Sequence, residues 1–197
     1  EMGVEIKEEN KKIIINGKGL ESLKKPSKEI YLGNSGTSAR LLTGLLASQN
    51  FESVLTGDKS LSSRPMKRIT NPLSEMGAEI ISQHGNLPLH IRGKVLNNCK
   101  IEIEIPSAQI KSGLILAALN TEGTSYINEQ HITRDHTEIM LETFGADIET
   151  KKIGRYFFTN SILLQETKKT QKVSLWAKHL VASCIASLLR LQRSKES

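Results

Sequence analysis

The chain has 197 residues, with 27 basic and 21 acidic side chains and a formal net charge of +6. At 38% hydrophobic and 24% charged residues it has the balance of a folded globular chain, long enough for one domain and part of a second. Its longest apolar stretch, Leu180–Leu189, is far shorter than the roughly 20 residues that span a bilayer, so no integral membrane segment is expected.

Cys99 and Cys184 form no CxxC pair and the five histidines no HExxH, so neither a disulfide framework nor a metal site is indicated. No secretory signal opens the chain, and reduced thiols in the cytoplasm are the expectation. The positive charge is uneven: residues 1–150 hold 17 basic and 19 acidic side chains, residues 151–197 hold 10 and 2. The body is therefore not basic, and without an RNP, helix-turn-helix or zinc-finger pattern nucleic acid is not an expected partner.

Along the chain, Tyr31-Leu32 leads into the small polar turn Asn34-Ser35-Gly36-Thr37 and then a helix pattern to Asn50. Ser53–Gly57 reads as a strand, Ser63-Arg64-Pro65 opens a second helix that ends at Met76-Gly77, and Ala78–Ile81 and Leu87–Ile91 read as strands. The pattern then repeats. Ile101–Ile105 alternates as a half-buried strand, Pro106–Gln109 turns, Ile110–Asn120 is a helix whose stretch Ile110–Leu119 reads as buried inside, and Thr124–Ile127 is a strand. Thr133-Arg134-Asp135 opens a helix closed by Phe144-Gly145, followed by strands at Ala146–Ile148 and Arg155–Phe158. Asn50/Asn120 and Arg64/Arg134 recur at an offset of 70 residues and Gly77/Gly145 at 68, which predicts two copies of a β-α-β-α-β-β unit, about residues 1–93 and 94–160. Each unit is too small to bury its own face, so the copies should share one core.

The turns at Asn34–Thr37 and Ser107–Gln109 can each seat an anion on backbone N–H groups or act as plain helix caps. Arg64 and Arg134 occupy equivalent places in the two copies. A cation near a helix start is unfavourable unless an anion offsets it, and guanidinium suits phosphate and carboxylate; a solvated arginine is the alternative. Lys67-Arg68 reads as an exposed helix face. Asp135-His136-Thr137-Glu138 fits an acid–base pair or ordinary first-turn capping.

Together, Leu32–Thr37, Ser60–Met66, Ser107–Ser112 and Thr133–Glu138 resemble the EPSP synthase family (3-phosphoshikimate 1-carboxyvinyltransferases), part of the wider enolpyruvyl transferase group. The resemblance implies an α/β fold, the inside-out α/β barrel, here incomplete. It also implies transfer of the enolpyruvyl group of phosphoenolpyruvate to the 5-hydroxyl of shikimate 3-phosphate, in chorismate and aromatic amino-acid synthesis, without cofactor or metal. Carried over by position, Gly36 and Arg64 would meet phosphoenolpyruvate. Ser107, Ala108 and Arg134 would form the shikimate 3-phosphate site, and Gln109 would touch both substrates. Family chains are about twice as long. Their N-terminal Lys-Ser…Arg loop has no counterpart here, nor has the C-terminal half that carries the acid–base residues. The chain thus reads as a truncated member, inactive alone, with a separate C-terminal half as a conceivable partner. Residues 161–197 read as a divergent basic tail in which Trp176, Leu180, Cys184, Leu188 and Leu191 keep helix spacing. An amphipathic tail helix leaves open the alternative of a non-catalytic interaction module.

Overall fold

The computed structural model describes residues 2–10, 12–16, 19, 22–153 and 159–164. The chain enters through a hairpin, β1 (Glu5–Glu9) and β2 (Lys12–Asn16), paired antiparallel with Glu5 opposite Asn16. The sequence reading had no element there, because an apolar run of three residues, Ile13–Ile15, is too short to stand out.

The first repeat runs β3 (Ile30–Tyr31), α1 (Gly36–Ala47), β4 (Glu52–Thr56), the single-turn α2 (Lys59–Ser62), α3 (Lys67–Glu75), β5 (Glu79–Gln83) and β6 (Asn86–Arg92). The second runs β7 (Lys100–Ile103), α4 (Ala108–Ala118), β8 (Ser125–Glu129), α5 (His136–Thr143), β9 (Ile148–Ile153) and β10 (Thr159–Leu164). The two sheets have the same spatial order, β3-β4-β6-β5 and β7-β8-β10-β9. In each, the first pair is parallel and the other two antiparallel, which is the strongest mark of the duplication. Of the strand expected at Arg155–Phe158, those four residues lie outside the described set; the fourth strand of the second sheet is β10. Residues 165–197, with the expected tail helix, are likewise outside it.

Local chemistry explains the boundaries. Ser35 and Ser107 cap α1 and α4, their hydroxyl oxygens accepting from the backbone N–H of Ser38 and Ile110. After α3 and α5, Gly77 and Gly145 take φ of 93° and 89°, a left-handed turn that glycine adopts without side-chain strain.

The sheets bury one face each. Leu55, Leu89 and Ile91 point inward from the first sheet while His90 and Arg92 face out, and Ile101 and Ile103 alternate with exposed Glu102 in the second. Between the sheets, α1 and α4 pack on each other with Leu42, Leu45, Leu46, Leu114, Ile115 and Leu116 essentially inaccessible. A single hydrophobic cluster spans both repeats, as the sizes of the units required. The two helices approach closely at two glycines: a Cβ on Gly44 would lie 1.9 Å from the Gly113 carbonyl oxygen, and one on Gly113 would lie 2.8 Å from the Arg40 carbonyl oxygen. The fold is thus mixed α/β with helices between two open sheets. Among the described residues neither sheet closes on itself, so the expected barrel is present only as this layered α/β arrangement.

Candidate functional site

The two interior helices start on the same side of the molecule, and their first turns carry the residues singled out by spacing. Arg40, one turn into α1, donates from Nη1 to the Gly36 carbonyl oxygen at 3.0 Å and to Gln109 Oε1 on α4 at 3.1 Å. Gln109 Nε2 in turn donates to Thr37 Oγ1 at 2.9 Å. These bonds tie the mouth of one repeat to the mouth of the other. Gly36 is buried under the guanidiniums: a Cβ there would sit 2.8 Å from Arg40 Nη1 and 3.0 Å from Arg64 Nη1. Arg64 donates to the Asn34 side-chain oxygen and, at 3.4 Å, to Ser60 Oγ. Gly36, Arg64 and Gln109 therefore form one cluster, with Arg40 at its centre.

Next to that cluster lies an open cleft of about 580 Å³. Ser107, Ala108 and Gln109 from the start of α4 line it, together with Arg40, Arg68 and Arg134. No carboxylate lines it among the described residues. The Arg40 guanidinium is held below its ordinary pKa, chiefly by partial burial and then by repulsion from Arg64 and Arg68. The neighbouring arginines thus oppose its charge rather than balance it. The positive end of the α4 dipole adds to the same potential. The cleft is built to take an anion with several oxygens, bound bidentately by guanidinium and by backbone N–H groups.

Behind the cleft wall sits a cluster that sequence reasoning did not single out. Lys111, in the second turn of α4, is fully buried, and its Nζ lies 2.9 Å from Glu129 Oε1 and 2.8 Å from Glu138 Oε1. The contact with Glu138 is an ion pair without hydrogen-bond alignment. Glu129 also accepts the Thr133 N–H at 3.1 Å and the Thr133 hydroxyl at 2.7 Å. Removing one partner from such a buried group costs about 3–5 kcal/mol. Beside it, the Ser112 and Thr137 hydroxyls meet at 2.7 Å and join α4 to α5.

All six residues chosen from the sequence lie in this region, Gly36 and Arg64 in the cluster and Ser107, Ala108 and Arg134 around the cleft, with Gln109 in both. Arg40 and Arg68 were missed. Arg68 is exposed as expected, yet its face is the cleft face. Arg40 had a visible signal: it is the one charged residue in α1, a helix otherwise buried along most of its length, as Lys111 is the one charged residue in α4. A lone cation in such a helix needs a partner. Asp135 begins α5 without a side-chain capping bond, and the acid–base pairing considered for Asp135–Glu138 is not formed, since Glu138 turns inward to Lys111.

The family model described as EPSP synthase (3-phosphoshikimate 1-carboxyvinyltransferase) matches residues 1–163. The 3-phosphoshikimate 1-carboxyvinyltransferase of Lactiplantibacillus plantarum is 49% identical over 149 residues, which are 76% of this chain and 34% of that protein. The protein of the same name from Citrifermentans bemidjiense is 48% identical over 151 residues, 76% of this chain and 35% of its own length. The solved structure of EPSP synthase from Acinetobacter baumannii superposes with a TM-score of 0.77 at 44% identity, covering 85% of this chain and 37% of that one. The chain thus spans about a third of the length of the relatives it matches. On the family match over residues 1–163 and the identity to these relatives, it belongs to the EPSP synthase family.

Proposed function

We propose that the chain binds shikimate 3-phosphate in the Arg134 cleft and supplies the anion-holding part of a 3-phosphoshikimate 1-carboxyvinyltransferase. That reaction would move the enolpyruvyl group of phosphoenolpyruvate to the 5-hydroxyl of shikimate 3-phosphate and release phosphate. The observation that carries the reading is the convergence of Arg40, Arg68 and Arg134 with the capped start of α4 on one cleft lined by no carboxylate among the described residues. Arg134 and the Ser107–Ala108 turn would take the 3-phosphate. Gly36 and Arg64, joined to that cleft through Arg40 and Gln109, would take phosphoenolpyruvate by its carboxylate and phosphate. Two polyanions repel, and arginines between them both offset that repulsion and fix the approach of hydroxyl to vinyl carbon.

Addition of the hydroxyl to the enol phosphate also needs a proton delivered to the methylene carbon, and one removed from the resulting methyl as phosphate leaves. No carboxylate or histidine of the described residues lines the cleft, so these steps fall to the two-thirds of the relatives' length that this chain does not span, joined to it or provided as a separate C-terminal half. The interior position of α1 and α4 between two outer sheets supports an inside-out α/β arrangement that further repeats would close. The cytoplasm, where both substrates would occur, is the proposed setting.

The test is thermal unfolding of the purified chain with and without shikimate 3-phosphate. At a ligand concentration 100 times Kd the expected gain is about 2.7 kcal/mol, roughly 5–10 °C in Tm for a chain of this size, and Arg134→Ala removes it. A melt unmoved by ligand in the parent chain refutes the reading.

A further inference from the structure

Resting on the reading of the cleft just given, we propose that Glu129 is a positioning residue for the Arg134 segment, held in place from inside the core by Lys111. Glu129 is the last residue of β8, and Arg134 follows it by five positions. Both of its oxygens are committed: Oε1 takes the Lys111 ammonium at 2.9 Å and the Thr133 N–H at 3.1 Å, and Oε2 takes the Thr133 hydroxyl at 2.7 Å. The backbone of Thr133 is thus clamped immediately before Arg134, and both residues line the cleft. Lys111 lies two residues after Gln109 on the same helix, so one buried charge relates the α4 turn that would hold the phosphate to the loop that brings Arg134 to it. Glu138, from the first turn of α5, gives Lys111 its second counter-charge but has no hydrogen bond to the loop.

The first repeat provides an internal control. Its cap Ser35 precedes Ser107 by 72 residues, and Ser53 and Leu55 of β4 precede the matching buried Ser125 and Ile127 by the same interval. At that offset Lys111 corresponds to Ala39 and Glu129 to Gly57. Ala39 is buried, and the Leu61 side chain fills the space beside Gly57, 2.6 Å from where a Cβ would be. The same fold unit therefore packs these places with apolar groups. A buried ion pair there is not a requirement of the fold, and buried pairs are seldom a net source of stability over a well-packed apolar replacement. In the first repeat the carboxylate that bonds the segment before the arginine is Asp58, which accepts the Leu61 N–H at 2.7 Å as the cap of the single-turn α2, while the guanidinium of Arg64 is held by Asn34; what the second repeat adds is the bond from that carboxylate to a lysine on the interior helix, where the first has Ala39.

The experiment compares four variants of the full chain by melting and by calorimetric titration with shikimate 3-phosphate, below the lowest Tm of the set. Glu129→Met and Glu138→Met each leave Lys111 one carboxylate, so both lower Tm, but only the first releases Thr133. Glu129→Met is expected to weaken binding about tenfold and Glu138→Met by no more than about twofold. Glu129→Gln, whose amide can still accept from the Thr133 N–H and donate to its hydroxyl, is expected to keep parental affinity. Equal losses in the two Met variants, or none in Glu129→Met, overturn the proposal while loss of binding in Arg134→Ala leaves the cleft reading standing. Parental affinity in Arg134→Ala, or no binding by the parent chain, overturns both. Should Glu129→Met not fold, Thr133→Val is compared with Thr133→Ser: about fivefold weaker binding for Val alone supports the clamp, and equal affinities refute it.

Discussion

Gly36 is the residue at which the smallest change should have the most selective effect. An alanine there needs no unusual backbone angle, but its Cβ would come within 2.8 Å of the Arg40 guanidinium and 3.0 Å of that of Arg64. Both are ends of flexible side chains and can move. Gly36→Ala is therefore expected to fold with Tm within a few degrees of the parent, to weaken phosphoenolpyruvate binding, and to leave shikimate 3-phosphate binding nearly intact. Calorimetry with each ligand checks this, and equal losses would place Gly36 outside the proposed phosphoenolpyruvate side. On the outer sheet face, Lys25 and then Arg92 hold the Glu52 carboxyl below the usual carboxylate range, and Lys94 and then Arg92 do the same for Glu79. A depressed folded-state value means their contribution is present above the unfolded pKa of about 4.3 and fades as pH falls through the lower folded value. Melting of Glu52→Gln/Glu79→Gln against the parent should therefore differ at pH 6 and converge at pH 2–3. The difference at pH 6 is small and shrinks in salt, because these pairs are exposed.

For the elements, the decisive contact is the crossing of α1 and α4. A Cβ on Gly44 would lie 1.9 Å from a backbone oxygen, which no side-chain rotation relieves. Gly44→Ala must push the two helices apart along the whole core seam, and a loss of at least about 3 kcal/mol is expected, read as a fall in the denaturant midpoint. A cost below about 1 kcal/mol would mean the helices do not cross this closely. The elements themselves were largely legible: α1, α3, α4, α5 and strands β3–β9 fall where periodicity, caps and closing glycines placed them, within a few residues. The hairpin β1–β2 was not, since five-residue strands of mixed charge carry little period-two signal. The single turn α2 was read as part of a strand-to-helix connection, because four residues do not establish a helical period.

At the level of the whole molecule, the cleft depends on two repeats being docked. Its walls come from α1, α3, α4 and the β8–α5 loop, so binding and global folding should be linked. Shikimate 3-phosphate affinity is then expected to fall steeply with ionic strength between 50 mM and 500 mM salt, since guanidiniums in an open cleft are screened over about 8–10 Å near 0.1 M. An affinity indifferent to salt would argue against an arginine-held anion.

The sequence by itself determined the duplication, most element positions, the family, and the six residues that gather at the cleft and in the cluster beside it, because caps, turns and repeats are written in local patterns. Only the tertiary structure decided that Arg40 joins Gly36 to Gln109, that Arg68 faces the cleft, and that Lys111, Glu129 and Glu138 meet inside the core. Those residues are brought together from different elements of both repeats. A lone charge in an apolar helix announces in sequence that it needs a partner, but which partner it finds is settled by how the helices cross and how the loops return over them.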